Sequence, residues 1–207
     1  MGLLNLLIND PLTFVLLAIP LLYSIIIHEL AHGWAAFWMG DQTAKWLGRL
    51  SLNPLKHLDP IGTVMLFMFG FGWAKPVPVN FNHLSHKRRG LIFVSSAGIM
   101  ANMLLAFMAF ALYSILSPSP SGSIAKFLYY LAQVNIILAS FNLIPIPPLD
   151  GSKILMGFAS EKFQYSFSRL EPYGFFIIIG LLYIGALDPI IDLFRRIILM
   201  LISIMLP

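Results

Sequence analysis

The residues best suited to chemistry are two histidines four positions apart, with a glutamate directly after the first: His28, Glu29 and His32. On a helix, positions i and i+4 share a face, so both imidazoles can bind one metal ion. A glutamate beside the first ligand can accept a proton from a water molecule that the metal activates. The pattern therefore predicts metal-assisted hydrolysis.

The setting of this motif is a long apolar run. Between Pro11 and Met39, no charged residue other than Glu29 occurs. The whole chain of 207 residues is 58% hydrophobic and 11% charged, whereas soluble domains average about 45–50% and about 25%. Ionisable groups at membrane depth are costly and usually functional. We therefore expect an integral membrane protein rather than a chance motif on a soluble helix.

Composition also limits the partners and the kind of metal site. Cysteine is absent, so a metal must be bound by histidine and carboxylate. The net charge of +4 comes from basic residues in short loops, which report orientation in a bilayer rather than nucleic-acid binding. We expect one transmembrane domain over 1–207, with core motifs in 27–151 and accessory helices in 172–207. The sequence leaves the oligomeric state open.

Five apolar segments define the expected architecture. They cover residues 12–39, 61–73, 91–116, 124–144 and 173–207. The second is too short to span a hydrocarbon core of about 30 Å and suits a re-entrant or interfacial piece. Pro189 divides the last into a span ending near Leu187 and a half-buried or interfacial helix. The fold class is an all-α integral membrane protein, a polytopic bundle of about four to six transmembrane helices.

Charge placement predicts the orientation of the bundle. The loops 41–59, 75–89 and 150–172 carry most of the lysines and arginines, whereas 117–123 has no charge. Basic loops favour the cytoplasmic side. The end of the first span that carries the histidines would then face the cytoplasm.

A catalytic zinc usually has three protein ligands and one open position, so a third ligand is needed. Asp150 has the best context, because it follows a long span and the proline-rich segment 142–149. Irregular backbone at membrane depth can line a watery cavity and could return a carboxylate to the metal. A solvated aspartate after an ordinary proline turn fits the spacing equally well.

Several motifs together resemble the site-2 protease family of intramembrane zinc metalloproteases. They are HELAHG (28–33), GRLSLNP (48–54), HLDP (57–60), AKPVPVN (74–80) and NLIPIPPLDG (142–151). The resemblance implies one Zn²⁺ per chain, with His28, His32 and Asp150 as ligands and Glu29 as the general base. It also implies that Asn142 helps to hold the substrate or the oxyanion.

Other residues match the family less closely. The stretch 97–102 is similar to the family's glycine–asparagine stretch, but Ile99 stands where many members have proline. Asn102, Lys75 and Asn80 are candidates to contact the substrate or to support a metal ligand. The 207 residues leave no room for the PDZ or CBS domain of many relatives.

The resemblance implies a zinc-dependent endopeptidase that cuts membrane-protein substrates in or near their transmembrane segments. The expected location is a prokaryotic cell (inner) membrane, with the lipid bilayer and a transmembrane protein or peptide as partners. One alternative is a transmembrane metal transporter, which would not need Glu29 and usually needs ligands along a path. Another is a catalytically inactive relative that binds membrane proteins.

Two loop features allow two interpretations each. His57 and Asp59 could form a second metal site, although structural roles are favoured. The segment 74–80 could be an extended edge that pairs with an unwound substrate, or an ordinary rigid loop containing Pro76 and Pro78.

Overall fold

In the computed structural model, which describes residues 3–70 and 72–206, every regular element is helical. The helices are α1 (Leu3–Asn9), α2 (Pro11–Trp38), α3 (Thr43–Trp46), α4 (Pro60–Phe69), α5 (Lys87–Leu116), α6 (Ser123–Asn142), α7 (Asp150–Phe158), α8 (Glu161–Ser168), α9 (Glu171–Tyr183) and α10 (Asp188–Met205). Short 3₁₀ turns cover Pro54–Lys56 and Phe81–His83. The predicted all-α class is confirmed.

Three helices are long and apolar enough to cross a bilayer. These are α2, α5 and α6, with 28, 30 and 20 residues. Helices α9 and α10 meet at a bend of 92° and make a fourth span if counted as one. The count of three or four spans lies at or below the lower end of the predicted range of about four to six. Helix α4, with only 10 residues, is shorter than a span needs. Phe71, within the short segment predicted at 61–73, lies outside the described residues.

The C-terminal third contains more helix than the sequence suggested. The region 150–172, expected to be a loop, forms α7 and α8. Asp150 begins α7 and Glu161 begins α8, and acidic residues stabilise a helix N-terminus. Ser160 adds a cap by accepting a hydrogen bond from the Phe163 N–H. The expected span ending near Leu187 instead stops at Tyr183, and Gly185 then turns the chain with a φ of +72°.

Helix α5 lies at the centre of the bundle and contacts α2, α6, α7 and α10. Its residues Ile99 and Ala106 form a buried core with residues of α6 and α10, namely Ile136, Ala139, Ile198 and Ile202. Small residues at such contacts let helix backbones approach closely. The polar side chains that α2 and α5 bury therefore lie among closely packed helices.

Between α2 and α5, an extended segment that we call the strap (Ala74–Asn80) crosses the second half of α2. Ala74 forms an isolated antiparallel bridge with Leu58. The Lys75 N–H donates to the His57 carbonyl at 2.7 Å. Arg49 donates to the carbonyl of Lys75 at 2.8 Å and to that of the next residue at 3.0 Å. The strap is thus anchored through its backbone at its first residues.

Candidate metal centre

The structure brings His28, His32 and Asp150 together. The Nε2 atoms of the two histidines lie 3.0 Å apart, and Oδ2 of Asp150 lies 3.1 Å from that of His28 and 3.0 Å from that of His32. All three residues are buried, with 6–8% of their surfaces exposed. Asp150 is therefore not the solvated aspartate of the alternative interpretation.

The path of the chain after α6 explains how Asp150 reaches the histidines. Residues 143–149 leave the end of α6 and turn into α7, whose first residue is Asp150. In this connection Ile144 is fully buried and packs with Ile178 and Leu187. Helix α7 in turn packs against α5. Apolar contacts on both sides thus fix the position of the carboxylate.

In each imidazole, the hydrogen bond made by Nδ1 determines whether Nε2 has a lone pair free to bind a metal. His32 Nδ1 lies 2.7 Å from the carbonyl oxygen of Val94, which can only accept, so Nδ1 carries the proton. His28 Nδ1 faces Oδ1 of Asn102 in the same way. Both Nε2 atoms then present lone pairs towards Asp150.

Three lone-pair atoms thus converge within 3.1 Å of one another, and no hydrogen-bond donor reaches Asp150 Oδ2 in the described part of the chain. Such an arrangement is repulsive unless a metal ion or an added proton lies among the three atoms. Two imidazoles and one carboxylate, with a fourth position open, match the ligand set of catalytic zinc sites, where each bond is about 2.0–2.2 Å. The residues therefore fit Zn²⁺.

Gly98 of α5 provides the space for this cluster. A Cβ atom at this position would lie 2.5 Å from Nε2 of His32 and 2.7 Å from Nε2 of His28. A side chain would occupy the volume in front of the ligand atoms. In the sequence, the stretch 97–102 pointed to Asn102 and gave no sign of this role of Gly98, which depends on a missing side chain.

Glu29 is half-buried and its carboxylate is held by the strap. The Val77 N–H donates to Oε2 of Glu29 at 2.8 Å. Val77 lies between Pro76 and Pro78, which have no N–H, so it supplies the one backbone donor of 76–78. At Gly33, one turn after Glu29, a Cβ atom would lie 2.9 Å from Val77. Glycine there lets the strap pack directly on α2.

The far end of the strap is held by Asp41, which is fully buried. Its carboxylate accepts hydrogen bonds from the Asn80 N–H at 2.7 Å and from the N–H and hydroxyl of Thr43. Burial alone would raise the pKa of Asp41, but these hydrogen bonds and nearby His83 lower it below the ordinary value of 3.8. Asp41 therefore joins the strap to the end of α2 as a carboxylate.

The other predicted site residues differ in their placement. Asn102 is fully buried and contacts His28. Asn142 is half-buried at the end of α6, and its amide donates to the Leu138 carbonyl of its own helix at 2.9 Å. Lys75 is exposed. Thus Asn102 is the one of these three that contacts a member of the cluster.

The remaining loop candidates have structural partners. The side chain of Asn80 accepts from the Asn82 N–H at 3.0 Å and caps the turn that follows the strap. His57 is buried and its Nε2 donates to the Ser51 carbonyl at 2.7 Å. Asp59 caps α4. Across residues 3–70 and 72–206, the one group of three possible metal ligands is His28, His32 and Asp150.

Two further buried residues lie near this group. Ser24 precedes His28 by four residues and so shares its helix face, and Asn135 lies opposite on α6. Both are fully buried. Ser24 was missed at the level of sequence, although a polar residue at position i−4 from a ligand within an apolar run was a usable signal. Asn135 was expected to make interhelical hydrogen bonds, and it does.

Comparisons with known proteins identify the family of this chain. Residues 117–184 match the profile of Peptidase family M50, a stretch that contains Asn142 and Asp150. The candidate zinc metalloprotease YwhC of Bacillus subtilis is 40% identical over 172 residues, which are 80% of this chain and 78% of that protein. Rip2 of Mycolicibacterium smegmatis, also a candidate zinc metalloprotease, is 28% identical over 84% of this chain and 69% of its own length.

An archaeal relative extends the similarity. A candidate zinc metalloprotease of Methanocaldococcus jannaschii is 32% identical over 152 residues, 70% of this chain and 71% of its own length. No solved structure gives a significant match. The metal-ligand geometry, the apolar helices and these relatives lead to one assignment. The chain belongs to peptidase family M50, the site-2 protease family of zinc metalloproteases, and is an integral membrane protein.

Proposed function

We propose that this protein is a zinc-dependent endopeptidase that hydrolyses peptide bonds in or near the transmembrane segments of membrane-protein substrates. One observation carries the proposal: Asp150 of α7 converges with His28 and His32, which lie with Glu29 on the 28-residue apolar helix α2. An ionisable cluster is costly at membrane depth and needs a functional reason. Hydrolysis of a substrate that itself lies in the bilayer supplies that reason.

His28, His32 and Asp150 are the proposed ligands of one Zn²⁺ per chain. When bound, zinc supplies Lewis acidity and lowers the pKa of a water molecule. Glu29 accepts the proton of the attacking water and later donates it to the leaving amine. Because Val77 holds Oε2 of Glu29, the other carboxylate oxygen is the one available for this transfer.

Asn142 is the proposed donor to the developing oxyanion. Its amide donates to the carbonyl of Leu138, one turn earlier in the same helix. The amide lies at the end of α6 on a half-buried residue, where a rotation of the side chain would redirect the donor to a substrate carbonyl. A donor aimed at developing charge is worth about 10²–10³-fold in turnover.

The strap is the proposed support for an unwound substrate, with Lys75 and Asn80 near its two ends. The N–H groups of Lys75, Val77 and Asn80 are already bonded within the protein, and the strap prolines have none. An extended substrate segment beside the strap would therefore mainly donate its own N–H groups to the strap carbonyls that Arg49 does not already hold. This differs from ordinary strand addition, in which both partners donate.

The proposed setting is a prokaryotic cell membrane, with the site towards the cytoplasm. The segments 41–59, 75–89 and 150–172 carry ten of the 13 lysines and arginines, and an excess of these residues favours that side. If the boundary lies near Gly40, His28 and His32 are roughly 18 Å and roughly 12 Å deep at a rise of 1.5 Å per residue. Cleavage should then occur in the cytoplasmic half of a substrate span.

The two alternatives predict other arrangements. A transporter needs successive ligand groups along a path, whereas residues 3–70 and 72–206 hold one such group. An inactive relative would not need a fixed carboxylate next to a ligand in sequence, whereas Glu29 follows His28 and is held by Val77. The proteolysis assay below separates both alternatives from the proposal.

The test is proteolysis of a single-span substrate by the purified protein in liposomes, together with zinc analysis. The wild type should bind one zinc and cut the substrate, and a chelator should abolish cutting. Glu29→Gln should keep the zinc and lose about 10²–10⁴-fold in turnover. The control Glu161→Gln, on exposed α8, should match the wild type. Near-normal cutting by Glu29→Gln would contradict the proposal.

A substrate series sharpens the same test. A helical peptide bond is shielded by its own hydrogen bonds, and glycine weakens a helix by up to about 1 kcal/mol relative to alanine. Substrates with glycine near the cut site should therefore be cut faster than all-leucine versions of equal length. Mass spectrometry should map the cuts to the cytoplasmic half. Equal rates, or cuts at the extracellular end, would count against an intramembrane mechanism.

A further inference from the structure

Three buried polar side chains, one each from α2, α5 and α6, form a hydrogen-bonded chain that ends on His28. Asn102 Oδ1 contacts Nδ1 of His28. Asn102 Nδ2 donates to Oδ1 of Asn135 at 2.7 Å, and Asn135 Nδ2 donates to Oγ of Ser24 at 2.7 Å. None of the three residues is exposed. We call this chain the relay (Ser24, Asn135 and Asn102).

The partners of the relay leave each amide only one orientation. Nδ2 of Asn135 also donates to the Leu131 carbonyl at 2.7 Å, and a carbonyl can only accept. A flipped Asn135 would therefore place oxygen against oxygen. Nδ2 of Asn102 faces Oδ1 of Asn135 and, at 3.4 Å, the Ser24 carbonyl. Asn102 must then present its oxygen to His28.

This orientation determines which nitrogen of His28 can bind a metal. Because Oδ1 of Asn102 can only accept, His28 must carry its proton on Nδ1. Its Nε2 then presents a lone pair towards Asp150, 3.1 Å away. His32 reaches the same state without the relay, since its Nδ1 donates to the backbone carbonyl of Val94. The relay therefore acts on one ligand of the cluster.

Ordinary helix packing does not account for the relay. Ile99, about one turn before Asn102, and Ile136, next to Asn135 in sequence, are buried in the apolar core. The same interface is therefore filled elsewhere by hydrocarbon. Buried amides are costly unless every group is paired. Interhelical hydrogen bonds could join the helices at many places, but the three relay residues form a chain that ends on His28, a proposed ligand.

We infer that Ser24, Asn135 and Asn102 are positioning residues that hold His28 in the tautomer and orientation required for zinc binding. The inference rests on the proposed ligand set. Loss of a partner that orients a metal-bound histidine typically weakens metal affinity 10–100-fold. The effect should decrease with distance from His28, and only an acceptor at position 102 should preserve the site.

The test is zinc affinity, measured by chelator competition on purified protein in detergent, for two variants of similar size. Asn102→Leu removes the acceptor and should weaken zinc binding about 10–100-fold. Asn102→Asp keeps an acceptor for the His28 Nδ1 proton and should retain affinity to within a few-fold. If position 102 only joined the helices, both variants would weaken binding equally, because both lose the donor to Asn135. That result would overturn the inference.

Cobalt substitution gives a measurement that does not depend on helix stability. The visible absorption of Co²⁺ depends on the geometry of its ligands. Asn102→Leu should alter this spectrum and Asn102→Asp should restore it. Asn135→Leu changes a residue one step further from His28 and should shift the Co²⁺ spectrum less. If Asn102→Leu does not fold, Asn135→Leu is the variant to measure in its place. A wild-type spectrum and affinity in Asn135→Leu and Asn102→Leu would refute the relay.

The matched control is Ser140→Ala. Ser140 is a fully buried residue of α6 whose hydroxyl donates to a carbonyl of its own helix, so zinc affinity should not change. His28→Ala separates the two proposals. If it binds zinc as the wild type does, the ligand set is wrong. If it loses zinc while Asn102→Leu binds normally, the ligand set stands and the relay inference is wrong.

Discussion

The metal cluster and the strap place neighbouring residues of α2 by different means. His28 and His32 are oriented from α5 and the α7 terminus, through contacts that are buried in the bundle. Glu29, between them in sequence, is held by a backbone N–H of a loop segment. One helix thus presents its ligands to a rigid interior and its proposed base to a segment anchored mainly by backbone hydrogen bonds.

Because of this difference, the cluster and the strap should respond differently to amino-acid substitutions. Side-chain ligands can be removed one at a time, so the cluster should respond sharply to single substitutions. A backbone donor survives most substitutions and is removed only by proline. We therefore expect variants in the cluster to change metal binding, and variants in the strap to change turnover while the metal stays bound.

The largest effect should come from Asp150→Ala. Apparent zinc affinities of about 10–16 kcal/mol shared among four ligands imply about 2.5–4 kcal/mol per ligand, so affinity should fall roughly 10²–10³-fold. Activity should be lost with it. Zinc stoichiometry after dialysis, with Glu171→Ala as the control carboxylate, measures this. Full zinc in Asp150→Ala and loss in Glu171→Ala would reverse the assignment.

Gly98→Ala should come next, although it removes no ligand. The new Cβ atom would lie 2.5 Å from His32 Nε2, so the imidazoles must shift, and overpacking typically costs about 1–3 kcal/mol. We expect zinc affinity to fall about tenfold or more, since 1.4 kcal/mol is a factor of ten. Gly180→Ala on α9, where a Cβ atom meets nothing within 4 Å, should leave zinc binding unchanged. Equal affinities of the two variants would show that the cluster is not tightly packed.

A third prediction separates the strap from the cluster. Val77→Pro removes the N–H that holds Glu29, whereas Val77→Ala keeps it and trims the same side chain. Turnover by Val77→Pro should be about tenfold below that of Val77→Ala, because a misplaced base loses part of its rate advantage. Zinc content should be normal in both variants. If Val77→Pro lost zinc, or if the two variants turned over equally, the proposed division between the regions would fail.

The sequence predicted the cluster better than the strap, for a physical reason. Helical periodicity places His28 and His32 on one face, and hydropathy predicts α2, α5 and α6 to within a few residues. These are local properties of the chain. Asp150 was a candidate by context only, because its approach depends on how 143–149 packs against α9 and α10, which no local pattern encodes.

Contacts that use backbone groups or empty space were not predictable at all. The bond from Val77 N–H to Glu29 spans 48 positions and involves no distinctive side chain at Val77. The role of Gly98 lies in an absent Cβ atom. Pro189 predicted a division of the last apolar region, but the 92° angle between α9 and α10 is not encoded in its hydropathy. Such features arise from tertiary packing, which overrides local propensity.

The smallest predicted effect concerns stability rather than turnover. Asp41 accepts hydrogen bonds from Asn80 and Thr43, and bonds to a charged group contribute about 1.5–3 kcal/mol. The folded-state pKa of Asp41 lies below its ordinary value of 3.8. Stability from this group is therefore fully present above that value and is lost as the pH falls through the lower, folded pKa.

The test of this effect is thermal unfolding in detergent at a series of pH values. At pH 7, Asp41→Asn should have a Tm several degrees below the wild type, since 1 kcal/mol corresponds to about 2–4 °C in chains of about 150–250 residues. The difference should shrink as the pH falls below 4, because the wild-type carboxyl then becomes neutral. Asp192→Asn, an exposed carboxylate of α10, should follow the wild type at every pH. A difference that stays constant down to pH 2 would mean that Asp41 holds the strap by shape and not by charge.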